Sequence, residues 1–369
     1  VPLISFLAKD KVMLLKYAGG MRLWLSQSPF TASDRRLIMA WVAALAVAAL
    51  LPYCVGPYAL STIRDAMVMG VLALSYDLLW GRTGTLTLGH TTFFGLGAYG
   101  FAVVTVQFGL APGIGVIVGL TCAAVSALAV GYFLLFAGVR LHFFAIISMA
   151  VLIVVQQLAM SWQSVTGGDT GLLGIPGLVF EVGDHRVDLS GSYGSWYAVA
   201  IVLLIAICVT WVVCRSRYGK VLAAIATNEW RAKACGYNTS LHLLLVFVVS
   251  AVLAALAGCL MAACSGVVAP DVFSPLLATE VILWVAIGGR GTIGGPVIAA
   301  VVLTLLKQTV SSYSTQWWPL ILGFLFLGCV LFMPNGLSVP GTLRTMRRTF
   351  QQGVGKAQLL RSRRAEGGR

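Results

Sequence analysis

The sequence predicts an all-α polytopic membrane protein of about ten transmembrane helices, some short or broken, with both termini on the cytoplasmic side. Three observations carry that expectation. Of 369 residues, 59% are hydrophobic and 10% charged, and adding the 41 glycines raises the apolar share to roughly 70%, far above an ordinary soluble domain. Apolar runs long enough to cross a bilayer recur along most of the chain. Lys and Arg concentrate in the tails and in short loops, the placement that cytoplasmic loops favour. A soluble globular domain, a disordered chain and a nucleic-acid-binding domain are excluded. The net charge of +13 is read as membrane orientation rather than as a surface for a polyanion.

In order along the chain, residues 1–36 form a basic cytoplasmic segment with six Lys and Arg and no sufficient apolar core, so no cleavable signal peptide is expected. Spans are predicted at 37–57, 59–80, 89–108, 114–138, 142–162, 195–213, 243–268, 276–289, 294–314 and 317–333. Two longer polar segments interrupt this membrane domain of 37–333. Segment 163–194 carries Asp169, Glu181, Asp184 and Asp188 against Arg186 alone and is expected outside; segment 214–242 carries five basic residues and is expected inside. The tail 334–369 is basic and cytoplasmic. With both ends inside, 22 of the 25 Lys and Arg fall on the inner side, leaving Arg64, Arg186 and Lys307 outside.

Three segments stand out as carriers of function. The first, Gly81-Arg82-Thr83-Gly84-Thr85-Leu86-Thr87-Leu88-Gly89-His90-Thr91-Thr92-Phe93-Phe94-Gly95-Leu96-Gly97-Ala98-Tyr99, is too rich in glycine and threonine for a strong continuous helix. It is either a broken element bordering a substrate path, with His90 and the threonines as polar groups, or a tight packing face with a cytoplasmic turn. In the second, Tyr218, Val221, Leu222 and Ile225 recur at helical spacing, and Gly236 is a natural C-cap of this helix or its successor. Such a helix lies on lipid headgroups or docks into a moving partner. The third, Gly288-Gly289-Arg290-Gly291-Thr292-Ile293-Gly294-Gly295-Pro296, partly echoes Thr83-Gly84-Thr85-Leu86. An acid and a Trp precede each: Asp77 with Trp80, Glu280 with Trp284.

Glu280 and Asp77 are ionisable groups within or near spans, and an acid there needs a reason. Gln156 and Gln157 offer amides for interhelical hydrogen bonds. The eight cysteines form no CxxC pair and read as small buried hydrophobes, so no metal site is expected. No phosphate-binding loop, H-E-x-x-H or G-x-S-x-G occurs, which argues against an enzyme with its own ATPase or hydrolase site.

Residues 81–99 resemble the glycine-rich signature of LivM-type permeases, the membrane subunits of bacterial branched-chain amino-acid ABC importers. Asn228-Glu229 and Ala232 to Gly236 are similar to the core of that family's cytoplasmic coupling segment. Pro270-Asp271-Val272-Phe273-Ser274, Gly288 to Pro296 and Pro334-Asn335-Gly336 follow in the family's order, so that the similarity runs from about Ala66 to Leu337. Arg82 and the Thr91-Thr92 pair depart from it. Trp284 to Thr292 reads more like relatives serving urea, short amides or aromatic acids, whereas Thr166 to Gly171 and Gly174 to Gly177 lean towards the amino-acid branch.

The resemblance implies a subunit of the bacterial inner membrane working with a second homologous permease, two cytoplasmic ATPases that bind the ATP, and a periplasmic solute-binding protein. It implies no cofactor on this chain. Gly219, Leu222, Ile225, Asn228, Glu229, Ala232 and Gly236 would couple to the ATPase. Gly84, Gly89, His90, Thr91, Phe93, Gly95, Gly97, Tyr99 and Glu280 would border the path of a small solute. Two other classes compete: a self-sufficient ion-coupled carrier using Glu280, and a scaffold whose glycines serve packing alone.

Overall fold

The computed structural model describes residues 51–137, 141–182, 185–188, 191–313 and 317–332. The expected segments 1–36 and 334–369, residues 37–50 of the expected span 37–57, and Pro334-Asn335-Gly336 lie outside them. Described by itself, the unit from Val55 onward is a helical bundle.

Helix α1 (Pro57–Thr83) starts on a proline in its first turn, where the missing amide costs nothing, and stops at Gly84, whose backbone is left-handed at φ 74°. Helix α2 (Thr91–Val106) follows. Pro112 opens α3 (Pro112–Phe136), and α4 (Leu141–Ser161) precedes the polar segment. After it come α5 (Ser192–Arg215), the short α6 (Arg217–Thr227) and α7 (Glu229–Ala234), then α8 (Thr239–Ser265), α9 (Pro275–Gly288), α10 (Gly294–Tyr313) and α11 (Trp317–Phe332). Each expected span from 59–80 onward thus carries a helix. Five of these helices (α3, α4, α5, α8, α10) are long and apolar enough to cross a membrane. The α2, α9 and α11 helices are apolar but shorter, and α1 is long but carries Arg64, Asp65, Asp77 and Arg82.

The segment 163–194 contains short regular elements. It holds a helical turn (Gln163–Thr166), a 3-10 turn (Gly168–Thr170) and strand β1 (Leu172–Leu173). A hairpin of β2 (Val179–Val182) and β3 (His185–Asp188) follows, with Val179 opposite Asp188. Strand β1 pairs antiparallel with β4 (Val267–Val268), which ties this segment to the end of α8.

The centre of the bundle is α8. In its most apolar window 72% of residues are buried, against 22–28% for the other four long helices. Close approach of α2, α3 and α8 is possible because glycines meet backbone. A Cβ on Gly97 would strike the backbone of Ala255, one on Gly258 the Phe94 carbonyl, and one on Gly100 would lie 2.8 Å from the Gly119 Cα. The Cys259 thiol donates to the Gly97 carbonyl at 3.3 Å, and the edges of Phe93 and Phe144 pack on Phe247. Outward, α3, α4, α10 and α11 expose Ile117, Phe133, Val154, Ile298 and Phe324, the surface that lipid or a second apolar chain requires.

Helix ends meet across the bundle at two groups of contacts. Gln107 donates to the carbonyls of Ser164 and Val165, and buried Arg64 reaches Ser195 at 3.0 Å and the Cys264 carbonyl at 3.4 Å. At the opposite ends, Ser240 donates to the Leu135 carbonyl and Tyr218 to that of His242. The glutamines depart from expectation: Gln157 is exposed and Gln156 half-buried, and neither amide bonds to another helix among the described residues.

Candidate functional site

The glycine- and threonine-rich stretch is both things its composition left open. Residues 84–90 are a non-helical connection, and 91–106 form a helix whose glycines are packing faces. The connection is tethered at almost every residue. Thr83 Oγ1 accepts from the Thr85 amide, Tyr76 donates to the Thr87 carbonyl at 3.0 Å, and Ser148 Oγ on α4 accepts from the amides of Leu88 and Gly89. Gly89 lies against the Ser148 carbonyl, where a Cβ has no room.

His90 is fully enclosed. Its Nε2 lies 3.0 Å from Ser75 Oγ, and the Ser75 hydroxyl donates to the Leu72 carbonyl at 2.7 Å. A hydroxyl has one proton, so in the neutral ring Nε2–H donates to Ser75 and Nδ1 keeps its lone pair. That Nδ1 has no hydrogen-bond partner among the described residues. The same holds for the hydroxyls of Thr85, Thr91, Thr92 and Tyr99. Tyr99 stacks on Phe273 at 5.5 Å between centroids, and Gly95 leaves room for the same Phe273 ring. Of the residues expected along a path, His90, Thr91, Phe93, Gly95, Gly97, Tyr99 and Gly89 are therefore buried between helices, while Gly84 is exposed and caps α1.

Glu280 stands apart from that stretch. It is 1% exposed, accepts Lys307 Nζ at 2.8 and 2.9 Å on its two oxygens, and accepts the Trp318 indole N–H at 2.6 Å. Helices α9, α10 and α11 are pinned together by this one carboxylate.

The second glycine turn meets the last turns of α1, just before the turn it echoes. Asp77 Oδ1 on α1 accepts the Gly291 amide at 2.7 Å, and Gly81 presses on both groups so closely that no side chain fits. The Arg290 guanidinium lies 4.3 Å above the Trp80 ring. Gly289 and Gly291, at φ 92° and 75°, give the turn its left-handed backbone.

The segment 214–242 contains two helices, and Gly236 caps the successor. Ser216 caps α6 by accepting the Gly219 amide, and Asn228 caps α7 by accepting the Arg231 amide. Gly236, at φ 88°, closes α7 with a Schellman pair of bonds, Tyr237 to the Ala232 carbonyl and Gly236 to that of Lys233. The predicted apolar face is directed inward: Leu222 is buried, and Ile225 and Ala232 pack with Leu243, Leu135 and Val221. Gly219 sits on the Val213 and Cys214 carbonyls. Glu229 binds Thr239 Oγ1 at 3.1 Å and Lys233 at 2.8 Å. Of the seven residues expected to couple, Leu222, Ile225 and Ala232 thus hold the loop in place, and the outward face is made by Lys220, Ala223, Ala224, Thr227 and Trp230, the last 84% exposed. Burial pushes the Tyr218 phenol up to about 12, and it donates to the His242 carbonyl.

Sequence reasoning missed Ser148, Phe273 and Gly258 as partners of the glycine-rich stretch, and placed Lys307 outside without a mate. A lone cation in an apolar run was the available signal, because it needs an acid nearby.

Comparison with known proteins gives a consistent result. Residues 58–330 match the family described as branched-chain amino acid transport system / permease component. The chain is 26% identical to the high-affinity branched-chain amino acid transport system permease protein LivM of Salmonella typhimurium, over 88% of this chain and 79% of the relative. It is 26% identical to LivM of Escherichia coli over 80% and 73%, and 26% identical to the permease protein LivH of Escherichia coli over 76% and 95%. No solved structure matches.

Proposed function

The chain belongs to the permease-component family of branched-chain amino acid transport systems, and from that membership we propose that it is one membrane-spanning half of an ATP-driven importer of the bacterial inner membrane. Its cargo in this reading is a branched-chain amino acid, the solute named for the LivM relatives. A second homologous permease completes the pathway; LivM and LivH relatives both resemble this chain. Two cytoplasmic ATPases bind the ATP, and a periplasmic binding protein delivers the solute to the acidic segment 163–194. Ten spans with both termini inside give this arrangement, the basic segments 1–36 and 334–369 lying at anionic lipid.

The observation that carries the reading is the loop of α6 and α7. A loop meant to lie on lipid headgroups would turn its apolar face outward. This one spends that face on the bundle and leaves a strip of small residues beside Trp230 exposed. Such a rigidly seated, outward-facing pair of helices suits docking to an ATPase, with Gly219, Asn228, Glu229 and Gly236 fixing its shape. Gly84, Gly89, His90, Thr91, Phe93, Gly95, Gly97 and Tyr99 border the path in this proposal. The unpartnered polar atoms at His90, Thr91, Thr92 and Tyr99 support it: they are enclosed between helices without a mate, and a polar solute would supply one when the helices part. Glu280, apart from that stretch, holds α9, α10 and α11 together beside the path in this proposal.

The test is capture of the tagged chain from its native membrane in mild detergent, with partners identified by mass, followed by uptake assays with leucine, urea and aromatic acids. Recovery of two ATPases and a second permease is the expected result. Preference for urea, an amide or an aromatic acid would reassign the cargo within the same importer class. Recovery of this chain alone, transporting in liposomes without ATP, would refute the proposal in favour of a carrier.

A further inference from the structure

The turn 289–293 is bonded to α1, and α1 is also the helix against which α6 packs. Leu222 of α6 is fully buried, and Gly219 fixes the start of α6 on the end of α5. A displacement of α6 therefore acts on α1 as well as on α5. From there, two contacts lead on to the turn between α9 and α10: the Asp77 carboxylate on the Gly291 amide, and Arg290 over Trp80. Gly81 makes the seam close enough that α1 and the turn cannot slide past each other without losing the bond.

Resting on the proposed function above, we propose that Asp77 is the positioning residue of a transmission joint, which makes the α9–α10 turn move with α1 when an ATPase displaces α6. The end of α1 and the 289–293 turn are then the two halves of this joint. Gly291 supplies an amide with no side chain in the way, Asp77 supplies the acceptor, and Arg290 adds a second, exposed fastening. Power applied at one loop reaches the α9–α10 turn through these two fastenings, beside the packing of α9 and α10 on α1.

The experiment uses the complete importer in liposomes, with ATP hydrolysis and leucine uptake measured in the same vesicles and assembly followed by the amount of co-purified ATPase. In Asp77→Ala, assembly and hydrolysis stay near wild type while uptake per ATP falls about tenfold, the size of a modest coupling free energy. Asp77→Asn keeps a carbonyl acceptor for Gly291 and retains most of the uptake. Arg290→Gln, at an exposed position that does not endanger folding, loses about threefold, as expected for one surface cation–π contact. Unchanged uptake per ATP in both Asp77→Ala and Arg290→Gln would overturn the joint, as would Asp77→Asn failing as badly as Asp77→Ala. If Asp77→Ala does not assemble, Arg290→Gln decides alone. Wild-type vesicles without ATP-dependent uptake would overturn the functional reading and the joint together, whereas a coupled wild type with unaffected variants overturns the joint alone.

Discussion

The carboxylate of Glu280 and the ammonium of Lys307, one on α9 and one on α10, form a doubly contacted ion pair at 2.8 and 2.9 Å within the apolar bundle. The Trp318 indole completes the set from α11, so every oxygen of Glu280 is engaged. A coupling acid in an ion-driven carrier must exchange the ion it holds, whereas both oxygens of this carboxylate are already taken by Lys307 and Trp318. Glu280→Gln should therefore leave ATP-driven uptake without any dependence on a proton or sodium gradient. Gradient-driven uptake in the wild type that disappears in this variant would restore the carrier.

The same pair has a stability consequence. Glu280→Ala strands Lys307 beside an apolar wall and should cost about 2 kcal/mol, below the range for a fully buried pair because the Lys307 side chain is 38% exposed. Thermal unfolding of the purified chain in detergent reads this, and Lys307→Met in the Glu280→Ala background should recover part of the loss.

Glycine packing is testable by contrast between two positions. At Gly258 a methyl would strike the Phe94 carbonyl, so Gly258→Ala must push α2 from α8 and should cost about 2 kcal/mol. Gly323 on α11 has nothing within 4 Å of its added Cβ, and Gly323→Ala should be neutral or slightly stabilising. Equal melting temperatures for the two variants would contradict the close approach of α2 and α8.

Ser148 holds the unwound connection by accepting two backbone amides. Ser148→Ala leaves the Leu88 amide with no acceptor, at about 1–2 kcal/mol, while Gly89 keeps Thr87 Oγ1. Amide hydrogen exchange at Leu88 should accelerate well before that of α2. If exchange there is unchanged, Ser148 is not what fixes the segment.

In the α6–α7 loop, inward and outward residues should fail differently. Trp230→Ala should reduce co-purified ATPase while leaving the melting temperature alone. Leu222→Ala, at a fully buried position, should lower stability by about 2–3 kcal/mol. Glu229→Arg removes the contacts to Thr239 and Lys233, and Gly236→Pro forbids the φ of 88° that closes α7. Both should abolish ATP-driven uptake and still insert. Normal uptake in both would sink the coupling role of this loop.

Much of the architecture was legible along the chain because the bilayer imposes a local rule. A span must be apolar over about 20 residues, and that is visible without knowing any neighbour. Charge bias in the loops is equally local. The amphipathic spacing of Tyr218, Val221, Leu222 and Ile225 likewise announced a helix, and Gly236 its end. Composition could not show which way that helix turns, because an apolar face serves lipid, partner or bundle equally. Leu222 and Ile225 proved to face the bundle.

What the sequence determined by itself was the class of molecule, the order of its helices and its family signature, all properties of short windows. The tertiary structure decided which residues 27 to more than 200 positions apart share a bond: Glu280 with Lys307, Leu88 with Ser148, Asp77 with Gly291. Within a bundle whose helices are all apolar, hydrophobicity does not discriminate among neighbours. Partner choice then falls to glycines that admit a backbone and to the few polar groups that must find a mate, and those matches exist only once the helices are side by side.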